Sequence, residues 1–339
     1  MADQIPIPAR PRVGVADPED IRRRASAAFG RPLRELSRLP GGLSSLTYRA
    51  TDERGAAVVI KVAPPGLAPV RNRDVLRQAR VLAALEKVPG VAVPAVLGTD
   101  AGTPPEIPPL FVMEFVPGES YEPRHVATGS RPSAEHVRGR GRAGVRMLAA
   151  LHAVAPADLG LDEAPLTGET EVERWRAAFT SVDLAPELSE RAGEVHRGLV
   201  AALPAPTGPA VLHGDWRLGN MQADEDTIRA VIDWEIWSVG DPRADLAWMR
   251  LMHDPAHPSA AAPEAPSLEP DEVLAEYEEA AGIPVAALPW FDAFVRYKQA
   301  AASALLVKNA ERRGDVDEAT ERMRVGIGLL LDDAFRRLS

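Results

Sequence analysis

Apolar and polar positions along the chain fall into two regimes. Up to about residue 116, short apolar runs are broken by Gly and Pro, which predicts strands; beyond about residue 134 the apolar positions recur mostly at helical spacing. Asp17 followed by Pro18 is a helix start, and the helix should run to Phe29, before Gly30. LRELSRLPGGLSSLTYRATDERGAAVVIKVAP reads as three strands, with turns at Pro40-Gly41-Gly42 and Glu53-Arg54-Gly55. Residues 73–87 predict a helix with Val75, Leu76, Ala79, Leu82, Ala83 and Leu85 on its apolar face. Residues 91–98 and 110–116 complete a five-stranded sheet. Further helices are expected over 136–151, within 171–202 with a break near 181–186, and over 271–281, 290–313 and 317–338. The Pro/Ala-rich stretch 254–270 is expected to be a mobile loop.

One stretch departs from the helical regime. VLHGDWRLGNMQADEDTIRAVIDWEIWSVGDPRADLAW reads as strand, polar loop, strand, loop and helix start. Asp215 and Asn220 stand five apart in the loop opened by His213-Gly214, and Asp233 closes the apolar run that follows. Phosphoryl transfer needs such a set: a carboxylate to take the proton of an attacking hydroxyl, and an amide and a second carboxylate to hold Mg²⁺. Carboxylate and amide oxygens are hard donors and suit Mg²⁺. The five-residue spacing is also that of the protein-kinase catalytic loop.

With Gly214 in the middle of His-Gly-Asp, and Trp234-Glu235 after Asp233, the motifs HGDWRLGN, IDWE and GDPRADLA resemble those of the aminoglycoside phosphotransferase-like small-molecule kinases. The resemblance is to the branch related to kinase-like domains found beside acyl-CoA dehydrogenases. It covers residues 36–245 by motif and implies an α+β, bilobal protein-kinase-like fold, with a small antiparallel-sheet lobe and a large, mainly helical lobe. The expected division is 1–116, binding nucleotide, and 117–339, carrying the catalytic loop and the acceptor site. The implied reaction moves the γ-phosphoryl group of ATP, or of GTP, to a hydroxyl of a small molecule. Asp215 is then the base, and Asn220 and Asp233 the Mg²⁺ ligands. Arg217 would contact phosphate or substrate. Glu235 would be a metal-site neighbour or the partner of Arg217. His213, Asp241 and Asp245 would brace the loops, with Trp216, Trp234, Trp237 and Trp248 packing and Trp216 also lining the acceptor pocket.

In the first lobe, Gly41 and Gly42 allow close backbone approach to phosphate, and Ser44 and Ser45 add donors. Lys61, at the end of the apolar run 57–60, stands where the phosphate-pairing Lys of kinases does. The helix position that supplies its usual Glu partner is Gln78 here. LFVMEFVPGES resembles the hinge, with Met113 against adenine and the Glu114 carbonyl and Val116 N–H on its edge. His152 reads as a structural residue at a helix end, and His253 and His257 are not read as a metal site.

Composition narrows the class further. A 339-residue chain with 45% hydrophobic and 26% charged residues can bury a sizeable core. It has no Cys, which excludes disulfides and thiolate chemistry. The net charge of −10 argues against nucleic-acid binding. No signal peptide or eighteen-residue apolar run is seen, so a cytoplasmic protein with no membrane partner and no obligate protein partner is expected. Charge is uneven. Six Arg fall between 120 and 146, with Arg138, Arg142 and Arg146 on one helix face, whereas 251–295 holds nine acidic residues and no Lys or Arg. The Arg strip favours an anionic acceptor and the acidic stretch a cationic one.

Overall fold

A computed structural model of the chain describes residues 17–39, 45–124, 132–258, 260–262 and 265–338. It divides into two compact units. One holds the residues through Glu86 with Pro94–Val116 and Trp234–Ile236; the other holds Lys87–Val93, Pro117–Asp233 and the residues from Trp237 onward.

The smaller unit begins with α1 (Pro18–Phe29). The Asp17 carboxylate accepts the Glu19 N–H, Pro18 occupies the first turn, and Gly30, at φ 74°, ends the helix. Strands β1 (Leu33–Arg38), β2 (Leu46–Asp52) and β3 (Ala57–Val62) follow, then α2 (Val75–Leu85), β4 (Val96–Asp100) and β5 (Leu110–Glu114). They form one antiparallel sheet in the order β1-β2-β3-β5-β4. At the β2–β3 turn the Asp52 carboxylate accepts the N–H groups of Arg54 and Ala56 at 2.8 and 2.9 Å. Ile21 and Ala25 of α1 pack on one face of the sheet against Leu33, Tyr48, Ala50, Val58, Ile60, Val62, Leu110 and Val112. Each fully buried Val, Ile or Leu contributes about 1.5–3 kcal/mol. Because side chains alternate along a strand, Val59 and Lys61 face the other way. Register pairs Lys61 with Thr47 and Phe111, and Val59 with Met113, so these five side chains share one face.

Three boundaries differ from expectation. A 3₁₀ turn (Arg71–Arg73) precedes α2, which starts at Val75 because Asp74 caps it by accepting the Arg77 N–H at 3.0 Å. β4 starts at Val96 rather than at residue 91, since Pro94 has no N–H to give a ladder. β5 ends at Glu114.

The larger unit carries α3 (Ala134–His152), α4 (Gly168–Thr180), α5 (Pro186–Ala201), β6 (Ala210–Leu212), β7 (Met221–Asp224), β8 (Thr227–Val231), β9 (Ser238–Gly240), α6 (Arg243–His253), α7 (Pro270–Ala281), α8 (Leu288–Arg313) and α9 (Glu318–Leu338). β6 pairs with β9 and β7 with β8, both antiparallel. α8 is buried over most of its first half and packs against α4, α6 and α9, and its buried Asp292 and Arg296 are ion-paired with Arg250, Asp254 and Asp333. The α+β fold expected from the sequence is the one found.

Two expectations about this unit need correction. The described part of 254–270 is pinned rather than loose. Ala262, Ala265, Ser267 and Leu268 are buried, the N–H groups of Ala261 and Ala262 bond the Arg124 carbonyl, and the buried Arg124 guanidinium bonds the carbonyls of His253 and Ala265. The Arg strip of α3 is not an open basic surface either. Arg138 pairs with Glu272 and Arg146 with Glu276, each at 2.6 Å, and Arg142 lies 3.9 Å from Glu276. The basic face of α3 and the acidic face of α7 neutralise each other.

Candidate active site

The His213-Gly214-Asp215 turn leaves β6 and is held from α6. The Asp245 carboxylate accepts the His213 N–H at 2.6 Å on one oxygen and the Gly214 N–H at 2.9 Å on the other. Gly214 adopts φ 85°, which a side chain would resist. His213 Nε2 lies 2.9 Å from the Ile232 carbonyl, and its Nδ1 lies 3.2 Å from the Asp215 backbone nitrogen. Asp245 is fully buried. Burial alone would push its pKa up, but His152, His213 and Lys298 outweigh that and hold it below the usual carboxylate range. His213 and Asp245 therefore brace the turn, as read from the sequence. His152 sits at the end of α3 with Nδ1 2.9 Å from the Tyr277 hydroxyl, also in a structural setting.

The Asp215 carboxylate receives three side chains. Trp248 Nε1–H donates to Oδ1 at 2.9 Å, Asn220 Nδ2–H to Oδ2 at 2.8 Å, and Arg217 Nε–H lies 3.0 and 3.2 Å from the two oxygens. Trp248 follows Asp245 by three residues, so both project from one face of α6 onto the same turn. Asn220 sits in the 3₁₀ turn Leu218–Asn220. Its second amide hydrogen goes to the Asp215 carbonyl at 2.9 Å, so Oδ1 is the atom it offers a cation. Ile232 N–H bonds the Asn220 carbonyl at 2.8 Å, tying that turn to the end of β8. Next in the chain, Asp233 is exposed at φ 67°, a conformation uncommon for a residue with a side chain and often found at functional sites.

Arg217 has a second carboxylate, Glu122, which is buried. Its Oε2 lies 3.5 Å from Arg217 Nη1 and accepts the Gly219 N–H at 3.2 Å. A Cβ on Gly219 would meet Arg217 Nη1 at 2.0 Å, so only Gly lets the guanidinium lie across the loop. Burial pushes the Glu122 carboxyl up against the pull of Arg217. Burial also works against the charge of Arg217, yet Asp215 and Glu122 together raise its pKa.

In the smaller unit, Lys61 is buried on β3 and its Nζ donates to Gln78 Oε1 of α2 at 3.3 Å. Gln78 therefore faces Lys61, as its helix position implied. Met113 is on the same sheet face; Glu114 donates its N–H to the Ala95 carbonyl at 2.9 Å. Ser45 is buried two residues before Thr47, and its hydroxyl has no hydrogen-bond partner among the described residues. Gly41, Gly42 and Ser44 lie outside the described residues.

The sequence profile of the Phosphotransferase enzyme family (APH) matches residues 35–294, which take in the sheet, the Asp215 turn and α3 to α7. The chain belongs to this phosphotransferase family. Acyl-CoA dehydrogenase family member 10 of Mus musculus is 29% identical to it over 232 residues, 65% of this chain; the phosphotransferase chain spans only 20% of that relative. A Ralstonia eutropha protein assigned to the aminoglycoside phosphotransferases shares its fold, with TM-score 0.75 and 20% identity over 94% of this chain and 97% of that one. Amicoumacin kinase, solved with AMP-PNP, Ca²⁺ and Ami, does so with TM-score 0.63 and 12% identity over 93% of each chain. The resemblance carried by HGDWRLGN, IDWE and GDPRADLA stands, including its acyl-CoA dehydrogenase branch.

Sequence reasoning about this phosphotransferase missed three contacts and misplaced one. Glu122 was not singled out, yet within its unit it is the second carboxylate found at Arg217, beside Asp215. Lys298 of α8 donates to the Gly214 carbonyl at 2.7 Å and was not singled out. Trp248, read as packing, bonds Asp215. Trp216, placed at the acceptor pocket, is instead fully buried with Nε1 bonded to the Gly144 carbonyl at 3.1 Å. A usable signal existed for Lys298: the sequence has four Lys against thirty-five Arg, so each Lys marks a place where the chain departs from its habitual cation.

Among the described residues no three His, Asp or Glu side chains gather into a metal cage. Mg²⁺ does not require one, because it is commonly held by one or two carboxylates with substrate phosphates and water. Among the same residues no helix is long and apolar enough to cross a membrane.

Proposed function

We propose that this phosphotransferase moves the γ-phosphoryl group of ATP, or of GTP, to a hydroxyl of a small molecule. The observation that carries the reading is the Asp215–Asn220 pair. Asn220 spends both amide hydrogens on Asp215, which orients the carboxylate and leaves a hard oxygen beside it. In this reading Asp215 takes the acceptor proton as the acceptor oxygen forms its bond to phosphorus. The bond between phosphorus and the β–γ bridging oxygen breaks, and its electron pair leaves with the nucleoside diphosphate. Asn220 Oδ1 and Asp233 would hold Mg²⁺, which would supply charge neutralisation on the phosphates. Arg217, fastened to Asp215 and Glu122, is a fixed positive charge for developing negative charge on the transferred group. On the smaller unit, Lys61 pairs with the inner phosphates. Gly41, Gly42, Ser44 and Ser45 line the phosphates, and Met113, Glu114 and Val116 meet adenine. AMP-PNP and Ca²⁺ in amicoumacin kinase support a nucleotide and a divalent cation for this fold.

A second reading, a nucleotide-binding sensor with weak transfer, is favoured by one observation. The α2 residue that faces Lys61 is Gln78, where kinases carry the Glu of the usual ion pair. An ATP-consumption screen over hydroxylated compounds, paired with thermal shifts, tests the proposal. Nucleotide at a hundredfold excess over its dissociation constant stabilises by about 2.7 kcal/mol. Mg²⁺ should add to the ATP-induced shift in wild type and add nothing in Asp233→Ala. An unchanged Mg²⁺ effect in the variant rules out the metal assignment.

A further inference from the structure

We infer that Lys298, from α8, is a positioning residue for the transfer site. It acts on Asp215 from two sides, through the Gly214 carbonyl and through Trp248; the inference rests on the proposed role of Asp215.

Lys298 Nζ–H donates to the Gly214 carbonyl at 2.7 Å, at the residue before Asp215. The same ammonium lies 4.5 Å from the centre of the Trp248 ring, and that ring's Nε1–H donates to Asp215 Oδ1 at 2.9 Å. One cation thus touches both supports of one carboxylate. The ring contact has an electronic direction: a cation on an indole face draws on the π density. It leaves the N–H a stronger donor, so the Trp248–Asp215 bond tightens. The backbone contact has a steric direction, because it fixes the peptide between Gly214 and Asp215 while Asp245 holds the preceding N–H groups.

Lys298 is buried among charges of both signs, and its pKa is lowered overall. Burial lowers its pKa, but Asp245, Glu171 and Asp215 pull the other way, with Arg174 opposing them. A single Nζ reaches both the Gly214 carbonyl and the Trp248 ring, as a compact ammonium on a flexible stem can. That fits the presence of Lys here in a chain that otherwise uses Arg almost throughout. Nothing in these contacts requires Lys298 to touch the acceptor or the nucleotide.

The test has a kinetic arm and an arm that needs no turnover. Lys298→Met should lower kcat at least tenfold while KM for ATP stays within twofold. Combined with Trp248→Phe it should cost little more than the worse single change, since both act on one carboxylate. In the second arm, the Trp248 indole N–H is assigned by its loss in Trp248→Phe and followed by NMR hydrogen exchange. Its exchange should speed up at least tenfold in Lys298→Met. Lys298→Gln, which keeps a donor for Gly214 but no charge, should speed it at least threefold and covers failure of the Met variant to fold. Indole exchange within twofold of wild type in the folded variants overturns the inference, as do fully additive kinetic effects. A wild type that transfers no phosphate under any condition defeats the functional reading, and the exchange arm still decides the linkage from Lys298 to Asp215.

Discussion

The two units hold their key side chains in opposite styles. In the smaller one, the group that α2 turns toward Lys61 is a neutral amide, Gln78 Oε1, at 3.3 Å. In the larger one, Asp215 is tied down by Asn220, Arg217 and Trp248; Glu122 holds Arg217, Lys298 lies against Trp248, and Asp245 and Lys298 hold the Gly214 backbone. Several charge-assisted hydrogen bonds thus converge on one carboxylate, each stronger than a neutral one. The difference teaches where geometry is built in beforehand. In the proposed reaction Asp215 must be placed to fractions of an ångström before the acceptor arrives, whereas Lys61 would meet phosphate only when the nucleotide binds.

The comparison breaks most sharply at Asp215. Asp215→Asn should lower turnover by about 10²- to 10⁴-fold, the usual contribution of a general base, while the Mg-ATP thermal shift stays close to wild type. Turnover within threefold would move the chemistry away from the well-braced turn.

A pH experiment sharpens the contrast in stability. His253, buried at the end of α6 with Nδ1 2.6 Å from the Ser267 hydroxyl, is held neutral. Burial, helped by Arg124 and Arg138, pushes its pKa down to about 4. The unfolded chain takes up that proton near pH 6.5, so the stabilisation is complete above 6.5 and is lost as pH falls toward 4. By pH 5 the loss amounts to about 2 kcal/mol. Urea unfolding at pH 7.5 and pH 5 should show it in wild type and not in His253→Gln. Equal losses in both proteins would assign the acid sensitivity elsewhere.

The smallest expected effect lies in the looser unit. Gln78→Glu should be tolerated, and its effect on ATP binding should vanish in a Lys61→Ala background, with a coupling of about 1 kcal/mol. Coupling below about 0.5 kcal/mol would mean that the two side chains do not meet in solution.

What the sequence made legible follows local physics. The first helix was bounded by Asp17, Pro18 and Gly30, whose effects act within one turn. Asp215 and Asn220 were paired by a five-residue spacing that a single loop closes. Lys61 and Gln78 were matched because a strand and the next helix repeat a known register. Contacts set by packing over long separations were not legible: Glu122 lies 95 residues from Arg217, and Lys298 lies 84 from Gly214. The two tryptophans were exchanged for the same reason. Trp216 adjoins Asp215 in the chain but turns into the core, whereas Trp248 reaches Asp215 because α6 carries it there one turn after Asp245. Charge runs misled as well, since the Arg face of α3 and the acidic face of α7 are complementary halves of one contact.

The central claim is phosphoryl transfer to a hydroxyl, and ³¹P NMR of the reaction mixture tests it most directly. With Mg-ATP and an acceptor identified by the consumption screen, a phosphate-monoester signal should grow in step with ADP and be lost in Asp215→Asn. ATP that binds but is never consumed, or that yields only inorganic phosphate with every acceptor, would contradict the account.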